Sequence, residues 1–210
     1  MTLIDSLKWR YATKKFDKNR KISSSDLTQL RQAVGLAASS YGLQPYKVLV
    51  IENAAVRARL LEAAYGQPQI TDASHLFLFC HYTDVSPEKT EAFIKLTSDV
   101  TGTPVAALQN YAHLINSTVA ARSPEALQAW TSKQAYIGLG TLLAAAAEMR
   151  VDACPMEGFD PAAFNEILGL PAKGLSASVL AAVGYRSAED PAQFRPKVRK
   201  PFNQMFEEIA

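Results

Sequence analysis

The chain has 210 residues, of which 48% are hydrophobic and 20% are charged, and its net charge at pH 7 is +2. This length suits a single domain over residues 1–210. The small net charge argues against nucleic acid or an anionic membrane as a partner. No apolar leader is visible at the N-terminus, and Cys80 and Cys154 form no Cys-x-x-Cys pair. We therefore expect two reduced, buried thiols and a cytoplasmic protein.

Helical and strand signals alternate along the chain. N-capping residues and helical spacing of apolar side chains predict helices at 2–11, 24–37, 53–64, 87–100, 105–120, 124–149 and 160–169. Continuous apolar, β-rich runs predict strands at 48–51, 75–82 and 176–183. Residues 39–45 are expected to form a loop, 67–72 a polar connector, and 190–201 an irregular basic tail.

The strands are nearly continuous in their apolar character, which predicts a sheet covered on both faces by helices. The helix over 135–149 is apolar almost all round and rich in glycine and alanine. It is too short to span a bilayer, and a helix of this kind needs cover on every side. A second subunit would supply that cover; the alternative is a central helix in the core of a monomer.

The segment 151–160 is expected to end the long helix at Pro155 and to form a turn. In that turn, the backbone N–H groups of Met156, Glu157 and Gly158 could bond the polar rim of a planar heterocycle. Short basic clusters lie near both ends of the chain, at 10–15 and 197–200. A ring-binding turn combined with two cationic clusters suggests a bound phosphorylated ring.

Each basic cluster has two interpretations. Arg10 and Lys14 could face one anion, or could lie at a solvated helix C-terminus, where the helix dipole favours cations. Lys197 and Arg199 lie on one side of a stretch between two prolines and could bind a phosphate, or could belong to a disordered basic tail.

The polar loop before the first strand also has two interpretations. Ser39, Ser40 and Gln44 could line a polar ligand, or could simply be turn residues at a helix exit.

The usual signatures of protein-borne catalysis are missing from the sequence. The three histidines have no metal-ligand spacing, and no glycine-rich phosphate loop or serine nucleophile elbow is present. We therefore expect no metal and no catalytic side chain, and we expect a bound cofactor to carry the chemistry.

Taken in chain order, these segments resemble the FMN-dependent nitroreductases of the oxygen-insensitive type. The segments that carry the resemblance are 10–14, 39–40 with 44–45, 72–75, 133–134, 155–160 and the pair Lys197 and Arg199. The resemblance covers essentially the whole chain. It implies an α+β fold with a central mixed, mainly antiparallel sheet flanked by helices. It also implies a homodimer with the long buried helix at its interface and two FMN molecules between the subunits.

The resemblance implies specific roles for residues of this chain. Arg10, Lys197 and Arg199 match positions that hold the FMN phosphate. Lys14 matches a cation beside the pyrimidine edge of the flavin, where it tunes the ring, and Gln69 lies near the same edge. The full set of implied cofactor-binding residues is Arg10, Tyr11, Ala12, Lys14, Ser39, Ser40, Gln44, Gln69, Gln134, Pro155, Met156, Glu157, Gly158, Lys197 and Arg199.

Further details of the resemblance concern the subunit interface and the ring. Ser39 and Ser40 match residues that reach the FMN of the other subunit, and the Glu157 N–H matches one directed at flavin N5. Ala12 stands where a hydroxyl-bearing residue is common, and 111–117 shows no recognisable substrate-channel pattern.

The activity implied by the resemblance is hydride transfer from NAD(P)H through flavin N5 to nitroaromatics, quinones or similar small electrophiles, with ping-pong kinetics. The alternatives are dihydropteridine or enone reduction on the same site, a non-catalytic flavin-binding protein, and a cofactor-free interaction domain.

Overall fold

The computed structural model describes residues 2–209. Its helices are α1 (Leu3–Trp9), α2 (Ser24–Gly35), α3 (Ala54–Ala63), α4 (Gln69–Asp72), α5 (Pro87–Thr101), α6 (Gln109–Ala120), α7 (Pro124–Glu148), α8 (Pro161–Leu168) and α9 (Phe202–Met205). Its strands are β1 (Tyr46–Ile51), β2 (His75–Tyr82), β3 (Asp152–Met156) and β4 (Leu175–Gly184). Short 3-10 helices lie at Ser40–Gly42, Val105–Leu108, Pro171–Lys173 and Pro191–Phe194.

Local capping sets several helix starts. Thr2 and Asp5 form a reciprocal capping box at the start of α1. Ser23, Asn53 and Asp160 each accept backbone N–H bonds at the N-termini of α2, α3 and α8. These helix starts are confirmed, because a cap depends only on residues close in the sequence.

The strands form one sheet in the order β1-β2-β4-β3, and every neighbouring pair is antiparallel. An isolated parallel bridge joins Ala12 to Ala153 and brings the N-terminal segment to the outer side of β3. The predicted α+β fold with a mainly antiparallel sheet flanked by helices is confirmed.

Two hydrophobic cores cover the two faces of the sheet. Leu76, Leu78 and Cys80 of β2 point into a core shared with α3 and α8. Phe77 and Phe79 alternate to the other face and pack with residues of α2 and α7. This alternation follows from the two-residue period of a strand, and it confirms the prediction of a sheet buried on both faces.

The long helix α7 crosses one face of the sheet at close range. A Cβ added to Gly138 would lie 3.0 Å from the Tyr46 hydroxyl and 3.2 Å from a ring carbon of Phe79. Glycine at this position therefore permits the close approach. Tyr136 and Ile137, on another side of α7, are 38% and 44% exposed in the single chain. The predicted homodimer interface on α7 stays a prediction.

The prediction for 151–160 was wrong in its first half. The helix α7 ends at Glu148, Arg150 takes a left-handed φ of 55°, and residues 152–156 form strand β3. Pro155 and Met156 therefore lie within a strand, so Pro155 does not end the helix and Met156 does not belong to the predicted turn. The sheet tolerates it because β3 is an edge strand, and the missing N–H of a proline is allowed on an open edge.

Two other segments are more regular than expected. The connector 67–72 contains the short helix α4, and the tail 190–201 contains the 3-10 helix Pro191–Phe194; α9 follows the tail. Within residues 2–209, no helix has both the length and the apolar character that crossing a membrane requires.

Candidate functional site

The N-terminal segment and the C-terminal tail meet and enclose a cavity of about 580 Å³. Its walls are formed by the C-terminal end of α1 and the residues that follow it, by Pro155 of β3, and by the tail. Its lining residues are Lys8, Trp9, Arg10, Tyr11, Ala12, Pro155, Ala192, Gln193, Arg195, Pro196, Lys197, Val198 and Arg199. The structure thus brings together Arg10, Tyr11, Ala12, Pro155, Lys197 and Arg199 from the predicted set.

The cavity is strongly cationic. Its lining includes Lys8, Arg10, Arg195, Lys197 and Arg199, with no carboxylate. Burial lowers the pKa of Arg10, and the nearby Arg199 charge lowers it further. Burial likewise lowers the pKa of Lys197, with added contributions from Arg10 and Arg199. These cations repel one another, so a bound anion would stabilise them.

Arg10 also carries an unpaired donor. Its Nε is buried and has no hydrogen-bond partner among residues 2–209. A buried donor without an acceptor is costly, and a phosphate oxygen would satisfy it. The donor set and the charge of this cavity therefore fit the phosphate of FMN.

Lys197 has a contact that the sequence did not indicate. Its ammonium donates to the carbonyl oxygens of Leu7 at 3.0 Å and Lys8 at 3.2 Å, and also to that of Arg10. An ammonium has three N–H donors, so all of them are used. Lys197 therefore ties the tail to the C-terminal end of α1 and contributes charge to the cavity.

The segment 11–15 has little regular structure and is held by two buried carboxylates. Asp190 accepts hydrogen bonds from the Tyr11 hydroxyl and from the backbone N–H groups of Lys14 and Lys15. On the other side, Asp152 accepts from the Thr13 hydroxyl at 3.4 Å.

Asp152 in turn pairs with Arg186. The Arg186 backbone N–H and Nε donate to its two oxygens at 2.9 and 2.8 Å. The Arg186 guanidinium lies 4.3 Å from the ring centre of Trp9 and 4.6 Å from that of Tyr11. Sequence reasoning missed Asp152, Arg186 and Asp190, because every one of these contacts joins residues far apart in the chain.

Lys14 and Gln69 both affect the thiol of Cys154, the residue before Pro155 in β3. Burial raises the pKa of the Cys154 thiol, while the Lys14 charge and a hydrogen bond with Gln69 partly oppose that rise. Gln69 itself is only 5% exposed, and its Oε1 has no partner within the described residues. The predicted roles of both residues at a flavin edge stay predictions.

The strip 155–158 comprises the last two residues of β3 and the two that follow, and side chains on either side hold it. The Tyr136 hydroxyl donates to Glu157 at 2.6 Å, and burial, followed by this bond, raises the pKa of Tyr136 to about 12. Gln67 Nε2 donates to the Gly158 carbonyl at 2.5 Å. A Cβ at Gly158 would lie 3.1 Å from that nitrogen, so glycine suits this contact. Met156 is buried, whereas Glu157 and Gly158 are exposed.

The loop at residues 39–45, called the serine loop, is ordered by hydrogen bonds but does not line the cationic cavity. The Ser40 N–H donates to Gln134 Oε1 at 2.8 Å, and the Gln44 N–H donates to Ser39 Oγ at 2.8 Å. Tyr41 and Gln44 have left-handed φ values of 61° and 43°. Such strained residues often occur near functional sites. That this loop reaches a cofactor of a second subunit stays a prediction.

A protein family and several known proteins resemble this chain in sequence. A model described as "Nitroreductase family" matches residues 7–185. The chain is 36% identical to YfkO of Bacillus subtilis, provisionally named an NAD(P)H nitroreductase, over 94% of this chain and 92% of that protein. It is 33% identical to the major NAD(P)H-flavin oxidoreductase of Aliivibrio fischeri, over 97% of this chain and 96% of that protein.

The fold also matches solved structures. One of these is a provisionally named nitroreductase from Exiguobacterium sibiricum in complex with FMN. It superimposes with a TM-score of 0.85 at 21% identity, over 100% of this chain and 98% of that one. At this identity the likeness concerns the fold alone.

Proposed function

Because this chain belongs to the nitroreductase family, we propose that it moves an electron pair from NAD(P)H to nitroaromatic or quinone acceptors, with FMN held in the cavity between α1 and the tail. The chain is an NAD(P)H-dependent oxidoreductase, and FMN is its cofactor. The acceptors, the kinetic mechanism and the residue roles below are proposals.

The binding proposal rests on the cationic cavity, whose lining has no carboxylate, and on the Arg10 Nε, which has no hydrogen-bond partner among residues 2–209. Arg10 and Arg199 bind the phosphate through charge-assisted hydrogen bonds. Lys197 adds its charge while its own hydrogen bonds keep the tail against α1. The phosphate end of the cofactor is thereby anchored away from the reacting ring.

Bound FMN supplies a ring that accepts a hydride from NAD(P)H and passes it to an electrophile. The residues of this chain orient that ring. Residues 155–158 would hold the ring, and Tyr136 and Gln67 keep these residues in place. Lys14 places a positive charge at the edge where negative charge develops, which favours electron transfer to the ring.

The reductant and the acceptor would bind in turn at the same face of the flavin ring. The oxidised nicotinamide leaves before the acceptor binds, which is the physical basis of ping-pong kinetics. Steady-state rates with NADPH and NADH against a nitroaromatic and a quinone test this directly. Parallel double-reciprocal lines support the proposal, and intersecting lines contradict it.

Free flavin is a second candidate acceptor. The relative from Aliivibrio fischeri, 33% identical to this chain, is named as a flavin oxidoreductase. Adding riboflavin and FMN to the acceptor panel, together with a dihydropteridine and an enone, separates these activities by their kcat/KM values. Bound flavin with no oxidation of NAD(P)H by any acceptor would instead indicate a non-catalytic flavin-binding protein.

We also propose that the chain acts as a cytoplasmic homodimer. The exposed Tyr136 and Ile137 on α7 offer an apolar face for a second copy. Cys80 and Cys154 are buried free thiols, which suits a reducing compartment. Sedimentation equilibrium of the flavin-loaded protein tests the dimer.

A further inference from the structure

Asp190 is a buried carboxylate at the start of the tail, with 0% of its surface exposed. One oxygen, Oδ2, accepts from the Tyr11 hydroxyl at 2.8 Å, the Lys14 N–H at 2.8 Å and the Lys15 N–H at 3.2 Å. The other oxygen, Oδ1, accepts from the Ala192 N–H at 3.0 Å. The side chain thus connects the tail to the N-terminal segment.

The geometry at Asp190 favours an ionised carboxylate. Both oxygens act as acceptors, and an asparagine in the same place would turn an N–H donor toward another donor. Burial raises the pKa of Asp190, but the hydrogen bonds it accepts outweigh burial and leave the pKa below its ordinary value. The site therefore selects the charged form in spite of its burial.

The segment that Asp190 holds has other contacts on either side of Lys14. They are the bridges at Ala12 and Phe16, the Thr13 bond to Asp152, and the bond from the Ser187 N–H to the Lys15 carbonyl at 2.9 Å. At Lys14 itself, the backbone N–H donates to Asp190. Lys14 is exposed, and its charge opposes the rise that burial causes in the pKa of the Cys154 thiol on β3.

We propose that Asp190 is a positioning residue that fixes the backbone at Tyr11 and Lys14 and thereby aims the Lys14 ammonium at the edge of the FMN ring. This inference rests on the proposed function. Asp190 does not touch the cofactor, because both of its oxygens are occupied and it is fully buried. It acts through the Lys14 backbone.

Asp190 also contacts Tyr11 and Ala192 of the cavity wall, but the cations of the phosphate site are held by other contacts. Lys197 fastens the tail to the carbonyl oxygens of Leu7 and Lys8 by a separate set of hydrogen bonds. Loss of the Asp190 contacts should therefore disturb the ring edge more than the phosphate site.

The test measures the two-electron midpoint potential of FMN bound to the full chain, in four proteins. These are the wild type, Asp190→Asn, Lys14→Met and the double variant. The preference for reduced over oxidised FMN should fall about tenfold in Asp190→Asn, a shift of about 30 mV to more negative potential. In the Lys14→Met background the same substitution should cause no further shift. The dissociation constant for oxidised FMN should change by less than about threefold, because the contacts to the phosphate remain.

The matched control is Ser23→Ala, which removes the N-cap of α2 and lowers stability away from the cavity. It should leave the potential unchanged. If Asp190→Asn fails to fold, Tyr11→Phe removes one of the three donors to Oδ2 and should give a smaller shift in the same direction. This smaller shift should also vanish in the Lys14→Met background.

Two results would overturn the inference. One is a lower melting temperature in Asp190→Asn with an unchanged midpoint potential. The other is a double variant whose shift in midpoint potential equals the sum of the shifts in the two single variants. A wild-type protein that binds no FMN at all would instead refute the proposed function, so the two failures are distinguishable.

Discussion

Arg10 is the residue whose removal should weaken FMN binding most. It is the half-buried cation of the cavity, and its Nε lacks a partner within residues 2–209. A hydrogen bond to a charged group is worth about 1.5–3 kcal/mol. The dissociation constant for FMN should therefore rise about 10- to 150-fold in Arg10→Ala. Arg199 is exposed, so Arg199→Ala should have a smaller effect, about threefold, because solvent and salt screen it.

The assay is titration of the flavin-free protein with FMN and with riboflavin, followed by quenching of flavin fluorescence. Riboflavin lacks the phosphate, so its affinity should be unchanged in Arg10→Ala. The control is Arg59→Ala, which removes the same charge from an exposed position on α3. It should bind both flavins as the wild type does.

The stability of the flavin-free protein gives an independent reading. Arg10 lies near Arg199 and Lys197 and is repelled by both. The melting temperature without FMN should therefore change little in Arg10→Ala, whereas the stabilisation by added FMN should shrink. The reasoning is refuted if Arg10→Ala binds FMN as tightly as Arg59→Ala, or if riboflavin is weakened by the same factor as FMN.

The ring edge, the buried histidines and the outer face of α7 each allow another test. In Lys14→Ala, FMN should stay bound, but its reduction by NADPH in a stopped-flow experiment should be about tenfold slower; an unchanged rate would remove Lys14 from the site. Burial lowers the pKa values of His75 and His81, so the unfolded chain takes up protons first as the pH falls below about 6.5. As the pH decreases from that value, the free energy of unfolding, measured in urea, should therefore decrease by up to about 1.4 kcal/mol per pH unit for each histidine. The decrease should be less steep in His81→Gln, and an unfolding free energy that stays constant or increases would contradict this. Ile137→Glu should place a charge in the proposed subunit interface and shift sedimentation toward the monomer, whereas Arg59→Glu, at an exposed position on α3, serves as the control.

Features set by near neighbours in the sequence were predictable. Strand β2 was predicted with its observed bounds, because an unbroken apolar run defines a buried strand. The helix starts near residues 24, 53 and 160 were predicted because a cap and its helix are adjacent. The family resemblance supplied the cofactor, which no local pattern could identify.

Features set by distant contacts were not predictable. Strand β3 was missed because Pro155 suggests a helix stop, and only its place at the sheet edge makes a proline acceptable there. Asp190 was missed because its partners Tyr11 and Lys14 lie at the other end of the chain. For the same reason, the three carbonyl contacts of Lys197 could not be read from a basic tail between prolines.

A crystal structure of the chain with bound FMN tests the central claim most directly. The account predicts the phosphate in the cavity between α1 and the tail, within hydrogen-bond distance of the Arg10 guanidinium. It also predicts the flavin ring along residues 155–158, with the Lys14 ammonium at its edge. A phosphate bound elsewhere, with the cationic cavity filled only by solvent, would contradict the account.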